Sequence, residues 1–210
     1  MYRYLTREDW GAALPHGSYT PVVHRGHGTV HYSASNITPG HVPATAEKPA
    51  KPGPKWYAIW RDPVTAATQR RRVSHAIRAY NRALKAWREG GTLPPKLDAL
   101  ERRIAREIQA FHQGPSRNWL DIAYHRLILA SGTVIECRPL GAQGAHARYA
   151  NWTVGYCFVM GPGDRPTPEM LASFERQREK DGITKIAGHR QRPGNATSCP
   201  GDALILALGL

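Results

Sequence analysis

The spacing of apolar residues changes period along the chain. In the opening stretch the apolar positions are sparse and fall in short extended pieces, Val22-Val23 and Thr29-Val30-His31-Tyr32, set among loops. Residues 39–55 are rich in Pro, Lys and Ala and read as a linker, a composition that builds no apolar face. Beyond it Val73, Ala76, Ile77, Tyr80, Leu84 and Trp87 recur at helical spacing, with Arg70, Arg71, Arg72, Arg78, Arg82 and Lys85 largely off that stripe. Gly90-Gly91 and Pro94-Pro95 end this helix and start another, whose stripe is Leu97, Leu100, Ile104, Ile108 and Phe111. Together they predict an αα-hairpin over residues 64–112 with a strongly basic outer face.

From residue 122 the pattern turns to period two and to continuous apolar runs. Tyr124–Leu129 and Thr133–Cys137 flank Ser131-Gly132, a hairpin turn signal. Val154–Met160 reads as a central strand bounded by Gly161-Pro162-Gly163. Thr167-Pro168 supplies an N-cap and a first-turn proline for a helix through Lys180, and Ile183–Ala187 is a last strand that delivers His189 at its C-terminal end. Strands interleaved with helices give an α/β fold, with a mixed central sheet flanked by helices. The expected organisation is one domain over residues 1–210, with the linker and basic hairpin inserted at 40–112.

A length of 210 residues supports one sizeable core. The formal charge of +13 predicts attraction to a polyanion: nucleic acid, an anionic membrane or the anionic polymers of a bacterial wall. Residues 47–110 carry 15 Lys/Arg against 6 Asp/Glu, so most of the excess lies in the inserted region. Cys137, Cys157 and Cys199 are odd in number and widely spaced, which argues against a disulfide framework. Cys137 and Cys157 are expected as apolar strand fillers. The N-terminus lacks the continuous apolar core of a signal peptide, and no stretch has the length of a membrane span. The expectation is a monomer made in the cytoplasm, without membrane insertion.

Chemistry enters with the run Gly188–Gly201, GHRQRPGNATSCPG, which places His189 and Cys199 ten residues apart across a Pro/Gly-rich loop. Imidazole and thiolate are good zinc donors, and the loop lets the chain double back so that both meet one ion. His31, at the end of an extended piece, is the best third donor. A His/His/Cys set leaves a fourth tetrahedral position for water, the arrangement of a hydrolase rather than of a closed structural site. His24 and His27 stand close to His31, but the strand would have to bend sharply to bring either onto the same ion.

The strings VHYSAS (30–35), NWLDIAYHRLILASGTVIECRPL (118–140), GAHARYANWTVGYCFVMG (144–161) and GHRQRPGNATSCPG (188–201) resemble the zinc-dependent N-acetylmuramoyl-L-alanine amidases of the type 2 family. Phage endolysins and peptidoglycan recognition proteins belong to that family. The resemblance covers residues 1–36 and 112–205 in order, with residues 40–110 longer than the usual connection. It implies that His31, His189 and Cys199 hold Zn²⁺ and that Tyr124 hydrogen-bonds either the activated water or the developing oxyanion. Thr197 then either donates to that oxyanion or stabilises its loop, and His146 lines the substrate groove. The segment 148–153 departs from the family's usual spacing around Asn151, a further substrate-binding candidate, and Cys157 stands where some members carry a glutamate as general base.

The activity implied is hydrolysis of the amide between N-acetylmuramic acid and the L-alanine of the stem peptide. The polymer implied is bacterial peptidoglycan, with the basic hairpin available to hold other anionic wall polymers. The setting implied is a phage endolysin that stays in the host cytoplasm until it is released to the wall. The alternatives are a peptidoglycan-binding module without catalysis and a nucleic-acid binder with a structural zinc. Against the last, Tyr80 and Trp87 belong to the apolar stripe and are not interleaved with the arginines, so no nucleic acid is expected.

Overall fold

The structure is a computed structural model that describes residues 2–33, 80, 82–87, 89–90, 93–161 and 164–210. The strands are β1 (Arg3–Leu5), β2 (His27–Tyr32), β3 (Arg126–Ile128), β4 (Thr133–Glu136), β5 (Val154–Phe158) and β6 (Lys185–Gly188). The helices are α1 (Arg7–Trp10), α2 (Pro95–Gln113), α3 (Pro168–Lys180) and α4 (Asp202–Leu208), with a 3₁₀ turn at His189–Gln191. The six strands form one sheet in the order β1-β4-β3-β5-β2-β6. Among the described strands only the β3–β4 pair is antiparallel, so the sheet is mixed, as the hairpin signal at Ser131-Gly132 requires.

Period-two alternation sorts the strand residues onto two buried faces. Val30, Ile128, Tyr156 and Phe158 point to one face and pack with Met170 and Phe174 of α3 and with Tyr80, Leu84 and Trp87. Leu127, Ile135, Cys137 and Cys157 point to the other and pack with Ile104 and Ala105 of α2. With helices on both faces, β5 is buried at every position, which explains its unbroken apolar run. Cys137 and Cys157 are buried free thiols, the filler role expected of them.

Of the expected hairpin's first helix only residues 80, 82–87 and 89–90 are described: they are helical, with Leu84 and Trp87 buried and Arg82 and Lys85 exposed. Val73, Ala76, Ile77, Arg70, Arg71, Arg72 and Arg78, with the linker 39–55, lie outside the described residues. Three elements went unforeseen: β1, α1 and α4. A capping box starts α1, Thr6 accepting from the Asp9 backbone while the Asp9 carboxylate accepts from the Thr6 backbone, and Gly11 ends it in the left-handed region at φ 69°. The last strand begins at Lys185 rather than Ile183, because Gly182 turns the chain at φ 70° and Ile183 is consumed in the core. Val22-Val23 forms no strand, the extended region yielding only an isolated bridge between Pro21 and Ala142.

Candidate metal centre

Sheet register brings the candidate ligands together. β2 lies between β5 and β6, all parallel, with Val30 opposite Gly188 and His31 opposite Cys157. His31 and His189 each follow the Val30–Gly188 pair by one residue, so both imidazoles leave the same C-terminal edge, with ring centroids 4.6 Å apart. The loop after His189 then returns through Arg190, whose backbone N–H donates to the Cys199 carbonyl at 2.9 Å. Among the described residues, His31, His189 and Cys199 form a group whose ligand atoms all lie within 4.8 Å of one another. His31 Nδ1 is 3.7 Å from Cys199 Sγ.

The outer nitrogen of each histidine is tied into the protein. His31 Nε2 lies 3.0 Å from His146 Nδ1, and His146 Nε2 lies 3.0 Å from the Thr153 carbonyl oxygen. One tautomer assignment satisfies both contacts: His146 donates to the carbonyl, His31 donates to His146, and the lone pair on His31 Nδ1 is left facing the thiol. His189 Nε2 lies 2.9 Å from Asn195 Oδ1, and donation there leaves His189 Nδ1 as its donor atom. Asn195 is itself fixed, its Nδ2 donating to the carbonyls of Arg148 (2.8 Å) and Pro193 (2.9 Å) while Oδ1 also accepts from the Arg148 backbone (2.9 Å). Such outer partners set tautomer and ring orientation in histidine metal sites.

Burial holds the His31 and His146 imidazoles well below the usual histidine range, keeping them neutral as ligation requires. Burial also lifts the Cys199 thiol to about 11, so a cation must supply the charge that makes it a thiolate. Two neutral imidazoles with fixed outer nitrogens and one thiol fit zinc by donor type.

Tyr124 joins this centre, its ring centroid 5.3 Å from that of His31. Burial raises its phenol well above the ordinary value, with the Cys157 and Cys199 sulfurs adding to the shift, so it stays a protonated donor. His146 packs behind His31. It is only 8% exposed and bonded through both nitrogens, and Gly155 on β5 is bare beneath it: a Cβ there would come within 2.5 Å of the ring. Asn151 Oδ1 accepts from the backbone N–H groups of His146 (2.7 Å) and Ala147 (2.8 Å) and so shapes the loop that places His146. Thr197 is exposed, and its hydroxyl oxygen accepts from the Cys199 backbone at 3.2 Å. His24 and His27 stay outside the group: His27 packs on Trp152 with centroids 5.2 Å apart, and His24 Nδ1 accepts from the Gly26 backbone. Sequence reasoning missed Asn195, whose only signal was its place in the loop between the two ligands.

No protein-family model matches the chain. Among curated proteins it is 38% identical to the endolysin of Enterobacteria phage K11 over 79 residues, covering 37% of this chain and 51% of that protein. It is 39% identical to the endolysin of Escherichia phage T7 over 61 residues, covering 29% and 39%. The matched part thus spans about half of the first relative and less of the second. Among solved structures it superposes on Drosophila peptidoglycan recognition protein SD with a TM-score of 0.62 and 21% identity, covering 99% of this chain and 94% of that one. Peptidoglycan recognition protein LE, solved with tracheal cytotoxin, a monomeric diaminopimelic acid-type peptidoglycan, gives 0.63 and 20% over 98% and 91%. The partial sequence match and the fold likeness point the same way: part of the chain is similar to phage endolysins, and the whole shares the fold of the peptidoglycan recognition proteins.

Proposed function

We propose that the protein is a zinc-dependent N-acetylmuramoyl-L-alanine amidase of endolysin type, acting on bacterial peptidoglycan. The observation that carries this reading is the convergence of His31, His189 and Cys199 beside a protonated Tyr124. When bound, zinc supplies carbonyl polarisation and an acidified water. His31 and His189 present their Nδ1 atoms from a rigid sheet edge, with His146 and Asn195 fixing the rings. The Tyr124 phenol donates to the oxygen that gains charge in the tetrahedral species, or passes its proton to the departing stem-peptide amine. Thr197 has its hydroxyl proton free of the contact with the Cys199 backbone and is the second candidate donor.

The relatives named endolysin favour turnover at the wall. The complex of recognition protein LE favours a second reading, in which a chain of this fold binds wall fragments without cutting them. Cys199 argues for the first, since a pure binder has no use for a third metal donor. The one-domain organisation over 1–210, the monomeric state, release from the host cytoplasm and attachment of the basic hairpin to anionic wall polymers belong to the same reading. No helix among the described residues is long and apolar enough to cross a membrane.

Mass spectrometry of purified sacculi after incubation names the cut bond: free N-acetylmuramic acid ends and new L-alanine amines are expected, and intact sacculi would refute the enzyme. Cys199→Ser should lose lysis together with most bound zinc, because a serine hydroxyl is a far poorer donor than a thiolate. Full lysis with stoichiometric zinc in that variant would remove the site assignment.

A further inference from the structure

The turn that leads from α2 to Tyr124 holds a cation, Arg117, that no described residue neutralises. Arg117 packs against two aromatic rings, its guanidinium carbon 4.7 Å from the Phe111 centroid and 4.6 Å from the Trp119 centroid. Both rings lie at cation–π distance, which stabilises the charge through the ring faces without occupying its N–H donors. Those donors have no hydrogen bond or ion pair with any described residue, and Nε is buried without a partner. The neighbouring buried acid, Asp121, is already committed: it pairs with Arg7 at 2.9 Å and accepts from Tyr19, Gln109 and the Ile122 backbone.

The arginine is also held in place before any ligand arrives. The backbone N–H groups of Arg117 and Asn118 both donate to the Gly114 carbonyl, at 3.1 and 2.7 Å, Trp119 donates to the His112 carbonyl at 2.9 Å, and Asn118 is left-handed at φ 50°. The ring contacts continue toward the metal centre. Trp119 lies on His112 with centroids 5.0 Å apart, His112 meets Tyr124 edge-on at 5.8 Å, and Tyr124 meets His31 at 5.3 Å. Arg117 is close enough to Tyr124 for its charge to act on the phenol. Burial, and the Arg117 charge after it, push His112 down to about 3, so it adds no second cation.

A planar donor fork, packed against rings, immobilised and unpaired, is the complement of a carboxylate. We propose that Arg117 binds a carboxylate of the substrate's stem peptide and so sets which peptides are presented beside Tyr124. This rests on the peptidoglycan reading, whose stem peptide lies on the leaving-group side of the scissile amide.

The test uses soluble muramyl peptides in which each stem carboxylate is blocked in turn as its amide. In the wild type, blocking the recognised carboxylate should raise KM about tenfold, the weight of one charge-assisted pair. In Arg117→Gln the ratio of amide to free-acid KM should fall to about one, with zinc content unchanged. A wild type indifferent to every block, or a ratio that survives in Arg117→Gln, overturns the proposal. Should Arg117→Gln not fold, Arg117→Lys serves: it keeps the charge and loses the fork, and an undiminished ratio there is equally fatal. Calorimetric binding of the free stem peptides, which have no scissile bond, reads the same ratio without turnover. A chain that shows the carboxylate preference in binding yet cuts neither substrate refutes the amidase reading and keeps Arg117; one that cuts without the preference does the reverse.

Discussion

The grouping of His31, His189 and Cys199 was legible in the sequence because donor chemistry is written in residue type, and a histidine and a cysteine ten residues apart across a proline-rich loop restrict what they can do together. What holds those donors was not legible, because it depends on ring orientation. His146 reads as one more histidine near a site until its Nδ1 is found against His31 Nε2, and Asn195 reads as loop until its Oδ1 is found against His189 Nε2. The two partners differ in a way that can be measured. Asn195→Ala should weaken zinc binding by about 10–100-fold, the usual cost of losing an outer-sphere acceptor. Asn195→Asp keeps that acceptor and loses the Nδ2 donations, so it should bind zinc nearer to wild type. Competition with a chromophoric chelator reads both, and equal affinities in all three proteins would leave Asn195 as a loop residue only. Tyr124→Phe should keep its zinc and lose turnover by about 10²-fold, since only the phenolic donor is removed. Undiminished turnover would reduce Tyr124 to packing.

At the scale of elements, the hairpin turn, the central strand and α3 were legible because each is long enough for its period to show or carries a strong punctuation signal. β1 and α1 were not, having three and four residues and so less than one full pattern. The stripe of α2 was read from its apolar members, and that reading overlooked Glu101, which helical spacing puts on the same face, four residues after Leu97 and three before Ile104. Glu101 is fully buried and joins three elements: it pairs with Arg3 of β1 at 2.9 Å, accepts from Ser131 in the β3–β4 turn, and accepts from Tyr80 at 3.4 Å. Burial raises its carboxyl, while Ser131, Thr133 and Arg3 pull it back. Glu101→Ala strands Arg3, Ser131 and Tyr80 together and should cost about 3–5 kcal/mol of stability, as breaking a buried pair does. Denaturant unfolding checks this, and a loss under 1 kcal/mol, roughly that of an exposed pair, would mean that water reaches the cluster.

At the scale of the molecule, composition announced a basic chain but not that four of its histidines, His31, His112, His125 and His146, are buried, which decides how the fold answers acid. His125 is almost fully buried, its Nδ1 accepting from the Gly155 backbone at 2.9 Å and its Nε2 donating to the Ala142 carbonyl at 2.8 Å. Burial lowers it to about 4 and His112 to about 3, against 6.5 for a free imidazole. His31 and His146 are displaced in the same direction. In each case the unfolded chain binds the proton more readily than the folded one. Their contribution is therefore fully present above pH 6.5 and is lost progressively as pH falls toward the folded values. His125 alone accounts for about 3 kcal/mol over that window, at about 1.4 kcal/mol per unit of displacement. A chain of this size moves its Tm by about 2–4 °C per kcal/mol, so the zinc-free protein should lose on the order of 10 °C between pH 7 and pH 4. Removing zinc beforehand separates this loss from release of the metal, which acid also drives. In His125→Gln, where the titrating ring is gone, the slope of Tm against pH should be visibly shallower. A wild-type Tm that stays flat through the window would show that these imidazoles carry their protons inside the fold, and the neutral ligand set of the metal centre would fall with it.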